Sequence, residues 1–166
     1  WIETVVYTLI AFVILGAVLG FAKPKIEQLQ DKSIIEQSIG MLENIDDTIE
    51  EIQTASGNKR EIELGIKKGS LKIDAPNDQI IFEIESLYTY SEPGIPIAKG
   101  NIIILNNKIG KINKISATID YTGKYNLTFE DEDKPELLAK SSAPYNLFIS
   151  NKGIENPLTK INFEFT

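Results

Sequence analysis

Residues Val5 to Ala22 read VVYTLIAFVILGAVLGFA, eighteen positions without a charged side chain. A helix of about 20 predominantly apolar residues is what crossing the roughly 30 Å hydrocarbon core of a bilayer requires. A helix on the surface of a soluble domain would show a polar face, and this stretch has none. It must therefore be buried on all sides, either in lipid or against other copies of itself. Candidate packing residues are Trp1, Ile2, Val5, Val6, Leu9, Ile10, Phe12, Val13, Ile14, Gly16, Val18, Leu19, Gly20 and Phe21. Gly16 and Gly20 form a GxxxG spacing, which lets a neighbouring helix approach closely. Glu3 is the only charged side chain ahead of the run, and a carboxylate there is costly unless paired. The candidate partner is the α-amino group of Trp1, in its own chain or a neighbour's; the alternative is a solvated position at the bilayer surface.

Downstream, Lys23-Pro24-Lys25 removes one backbone donor, and Pro24 is expected to kink or loosen the helix without ending it. From Lys25 to Ser56, Ile26, Leu29, Ile34, Ile35, Ile39, Leu42, Ile45, Ile49 and Ile52 recur at spacings of three and four, the pattern of an amphipathic helix. If continuous with the apolar run, the element is about 50 residues and on the order of 80 Å long. One small domain cannot cover that length, so half of it must find partners elsewhere. Ser56-Gly57-Asn58 supplies the stop.

After Lys59 the period changes to two. Ile62, Leu64 and Ile66, then Leu71 and Ile73, then Ile80, Phe82 and Ile84 alternate with polar residues. Further strands are expected at Leu87–Tyr90, Ile95–Leu105, Ile109–Tyr121, Lys124–Glu130, Tyr145–Ser150 and Leu158–Phe165, with turns at Glu92-Pro93-Gly94, Asn106-Asn107, Thr122-Gly123 and Asn151-Lys152-Gly153. The expected class is α+β: a long N-terminal helix over 1–56, then an antiparallel β-sandwich or barrel-like head over 57–166.

Composition narrows the function. The chain has 166 residues, no cysteine and no histidine. It thus lacks the commonest general base, the usual zinc ligands and the usual partner of a nucleophilic serine. No Ser-Lys or paired-carboxylate spacing stands out, so neither catalysis nor a cofactor is expected. The Glu130–Asp133 run lacks the glycine-punctuated alternation of a calcium loop and reads as solvated. A net charge of −7, with Arg60 the sole arginine, argues against nucleic acid as a partner. Asn126-Leu127-Thr128 is a sequon, making Asn126 a candidate glycosylation site. The chain opens on Trp1 and its only methionine is Met41, which leads us to expect a leader removed ahead of Trp1.

The retained apolar helix WIETVVYTLIAFVILGAVLGFA, Glu3 near its start, Lys23-Pro24-Lys25, the amphipathic continuation and the β-only remainder together resemble a type IV pilin, most closely the archaeal branch of adhesion pilins and archaellins. The resemblance implies a subunit of an extracellular filament. Many copies pack their N-terminal helices in the core, and each passes through the membrane, a leader peptidase and the assembly machinery beforehand. It departs from the bacterial pattern in placing its acidic residue at the third rather than the fifth position. The bulky Trp1-Ile2-Glu3 opening fits an archaellin poorly, which favours an adhesion filament over a motility filament. The reading from another class is a single-span membrane protein whose outer β domain binds a ligand or partner. On that reading the amphipathic stretch to Ile52 would lack a partner, and Lys23 and Lys25 would bias the domain towards the cytoplasm.

Overall fold

The computed structural model describes residues 1–155 and 157–165. Helix α1 runs Ile2–Ile52 without interruption. Pro24 lies inside it and withholds only the donor that would meet the Gly20 carbonyl. The helix stops four residues before Ser56; Gly57, at φ +87°, then donates its amide to the Asn151 carbonyl and turns the chain into the sheets.

Ten strands follow: β1 Lys59–Leu64, β2 Ser70–Asp74, β3 Gln79–Ser86, β4 Ile97–Lys99, β5 Ile102–Ile109, β6 Ile112–Asp120, β7 Tyr125–Phe129, β8 Pro135–Ala139, β9 Tyr145–Glu155 and β10 Leu158–Phe165. A 3-10 turn, Ala75–Asn77, separates β2 from β3. They form a four-stranded sheet in the order β1-β9-β10-β7 and a six-stranded sheet in the order β4-β5-β6-β3-β2-β8. Alternate residues face inward, as Ile80, Phe82 and Ile84 do on β3 and Ile115, Ala117 and Ile119 on β6. Both sheets contribute to one buried cluster, which also takes in Ile35, Ile39, Leu42, Ile45, Ile49 and Ile52 of α1.

The α+β class and the helix-then-strands order stand as expected. The head differs in detail. It is not wholly antiparallel, because β7 pairs β10 in parallel with Tyr125 opposite Thr159. β7 enters this sheet from the other one, so no hairpin sets its direction. Leu87–Tyr90 is not a strand: its Tyr88 folds over the core edge, its amide held by the Ser86 hydroxyl at 2.8 Å. Ile95–Leu105 is broken by a turn at Gly100-Asn101, where Gly100 has φ +58°. Asn106-Asn107 is no turn but the interior of β5; the hairpin closes at Gly110-Lys111. Asn106 is fully buried, which its polarity disguised. β8 was not foreseen, since its leading proline and neighbouring charges hide a short edge strand paired only to β2.

The second half of α1 is also more completely covered than its length suggests. Its inner face packs against β1, β3, β5, β6 and β9, so the amphipathic stretch from Asp31 to Ile52 has its partner within the chain. This corrects the expectation that a membrane-anchored protein would leave it bare.

Candidate functional site

Outside the head, α1 is a bare rod. Residues 1–21 are all exposed, and the first buried position is Asp31. Thirty residues at 1.5 Å each project about 45 Å from the head. Phe12 is 66% exposed, Leu19 65% and Phe21 80%, and the remaining apolar side chains named as packing residues, from Trp1 to Val18, are exposed with them. The helix passes the length and hydropathy test for crossing a membrane, with no part of its apolar window covered by the rest of the chain. At Gly16 and Gly20 an added Cβ would meet nothing within 4 Å, so both close-approach positions face open space. Glu3 is exposed on the first turn, where the helix dipole favours a carboxylate. The exposed apolar surface continues past Pro24 through Ile26 (53%) and Leu29 (68%).

Two buried carboxylates fasten the rod to the head. Asp31 accepts from Lys68 Nζ and from Ser86 Oγ, each at 2.6 Å. Asp46 accepts from Tyr121 Oη at 2.8 Å and from Asn101 Nδ2 at 2.7 Å. Burial, reinforced by the Asp46 carboxylate, pushes the Tyr121 hydroxyl far above its ordinary value. At the helix end Asn151 Nδ2 donates to the carbonyls of Ile52 at 3.0 Å and Gln53 at 3.2 Å. The bare and held halves are one continuous helix, fastened to the head along its second half. Sequence reasoning missed Asp31 and Asp46. Their signal was spacing, because each shares the face of Ile35, Leu42 and Ile49.

The other sequence candidates lie apart from the rod. Asn126 is half-buried on β7, an edge of the four-stranded sheet, and the sequon's Thr128 hydroxyl is buried and donates to Asn162 Oδ1 at 3.0 Å. In the Glu130–Asp133 loop, Lys134 meets Glu130 at 2.8 Å and Glu132 at 3.1 Å, while Lys152 meets Asp131 at 3.0 Å. Three of its four carboxylates are thus paired within the fold. Among the described residues no three Asp or Glu converge as metal ligands. An open cleft of 690 Å³ lies where α1 leaves the head, lined in part by Glu27, Asp31, Lys67, Lys68, Leu87 and Lys140.

Comparison of the chain with protein-family models, with curated proteins and with solved structures gives no match.

Proposed function

We propose that this chain is a structural subunit of an extracellular helical filament of the type IV pilin kind, serving adhesion, with no catalytic role. One observation carries the reading: a bare rod of about 45 Å, uncharged on every side over the 18 residues Val5 to Ala22, continues a helix locked into a folded head. Such a surface cannot remain in water. Repeated head-to-tail packing of rods, which does not close on itself, buries it and generates a filament with the heads outside. The membrane holds the rod before assembly, and Gly16 and Gly20 are the positions of closest helix approach.

The single-span anchored domain is the second reading. The coverage of Asp31 to Ile52 by the head favours it more than the sequence did. Against it stand Ile26 and Leu29, which lie beyond the apolar span, at or above the headgroup layer, and would have no apolar cover in a lone anchor. In a filament, neighbouring subunits cover them. The test is negative-stain microscopy of material sheared from cells, with mass spectrometry of its peptides. Filaments containing this chain support the first reading; recovery of all the chain as monodisperse protein from detergent-solubilised membranes overturns it. The same spectra test a glycan on Asn126, which would have to be attached before β7 pairs with β10.

A further inference from the structure

The basic side chains of this protein divide into two sets. Lys32, Lys59, Arg60, Lys68, Lys72, Lys99, Lys114, Lys124, Lys134, Lys152 and Lys160 each lie within 4.0 Å of a carboxylate oxygen. Lys23, Lys25, Lys67, Lys108, Lys111 and Lys140 have no such partner among the described residues, and all six are exposed.

These six share one place. Lys23 and Lys25 follow the apolar span on α1. Lys67 lies in the β1–β2 connection, Lys108 near the end of β5, Lys111 in the β5–β6 turn, and Lys140 follows β8. Strand register brings the head lysines to the end from which the rod emerges. Ser86, which holds Asp31, is opposite Asn113, and Asn113 is opposite Lys108. The same end exposes Leu87, Ile109 and Ile112 at 41%, 64% and 43%. Leu87 and Ile112 line the cleft with Glu85 and with Glu27 of the helix, so the head reaches the level of Glu27, and the four head lysines outnumber these two carboxylates, unpaired among the described residues.

That level is five residues past Ala22, about 7.5 Å along the axis. The headgroup layer on each side of a bilayer is roughly 5–8 Å deep. With the rod inserted and the head held upright, these loops reach the headgroups, where lysines meet anionic lipid and short apolar tips dip towards the acyl boundary.

We infer that the rod-proximal end of the head, carrying Lys67, Lys108, Lys111 and Lys140 with Leu87, Ile109 and Ile112, is a docking face for an anionic bilayer surface and holds the head upright on the membrane before assembly. The inference rests on the membrane stage of the reading above, not on filament formation. The competing occupant is the opposite end of a second copy. It is a poorer match because three of the acids there are already paired, Asp74 with Lys72 at 2.7 Å, Glu51 with Arg60 at 2.8 Å and Glu50 with Lys124 at 3.4 Å, which leaves Asp120 as an exposed carboxylate without a cation at that end among the described residues.

The native chain has no cysteine, so Ile112→Cys gives a single labelling site for an environment-sensitive fluorophore, and Thr122→Cys, at the far end, gives the control. The full chain is reconstituted at low protein density in vesicles of phosphatidylcholine alone or mixed with phosphatidylglycerol, with insertion checked by flotation. We expect a blue shift at position 112 only with phosphatidylglycerol and none at position 122. The shift should vanish in about 1 M salt, where the screening length falls to about 3 Å. It should also vanish when Lys67, Lys108, Lys111 and Lys140 are all changed to Gln. Equal emission in the two vesicle types overturns the inference. So does a shift that follows protein density instead of lipid charge, which would assign the face to a second copy. If the Gln variant fails to fold by circular dichroism, the salt titration of the native lysines decides. Because the vesicles hold dispersed chains, the outcome is independent of whether filaments form.

Discussion

Tyr121 and Asp46 show how single residues fix the rod's pose. Tyr121 keeps its proton in the folded state because burial, and then the Asp46 charge, oppose its loss. The unfolded chain releases that proton near the ordinary tyrosine value of about 10. Above that pH the folded state binds more protons than the unfolded one, so stability falls as pH rises. Urea midpoints should therefore drop between about pH 9 and pH 11, and drop less in Tyr121→Phe. That variant leaves Asp46 with Asn101 alone and should cost about 1–3 kcal/mol at neutral pH. Gly69 is a second sensitive point. Its φ is +83°, and a Cβ there would sit 2.3 Å from the Glu83 carbonyl oxygen. Gly69→Ala should lower stability by more than about 1 kcal/mol, read from the same midpoints. Neither position was visible beforehand. Asp46 looks like one more charge on a charged helix, and Gly69 like an ordinary turn glycine, until the sheets place partners beside them.

Among the elements, α1 is two environments on one backbone, and substitutions should separate them. Leu42 is fully buried in the head, so Leu42→Ala should cost about 2–5 kcal/mol. Leu15 is 55% exposed, and Leu15→Ala should leave head stability within about 0.5 kcal/mol of native. A chain beginning at Gln30 should fold and remain monomeric, with the near-ultraviolet spectrum of its tyrosines retained. A chain beginning at Gly57 should not, because it lacks the six α1 side chains that complete the core. The helix was readable because both its patterns are periodic and long, the first apolar all round and the second amphipathic. The strands from β1 to β3 were readable for the same reason, as alternation next to turn residues. The sheet partners were not. The parallel β7–β10 pairing and the β8 edge depend on contacts distant in sequence, and Asn106 and Asn113 face inward on β5 and β6 where the pattern calls for apolar residues.

At the scale of the whole molecule, a folded head completes only half of its longest element. From Val5 to Ala22 the uncovered half has the same apolar character on every side, so what covers it must surround it, and the head sits at one end, clear of the way. The rod was legible in the sequence; its fastening through Asp31 and Asp46 came only with the fold. A filament with rods inside and heads outside satisfies both facts. Cryo-electron microscopy of filaments sheared from cells tests this most directly. We predict closely packed helical density along the axis, continuous from each rod into a peripheral β head, with Gly16 and Gly20 at the nearest contacts between neighbouring rods. Filaments held together by head-to-head contacts with the rods outside, or a rod found only as a lone helix in lipid, would contradict the account.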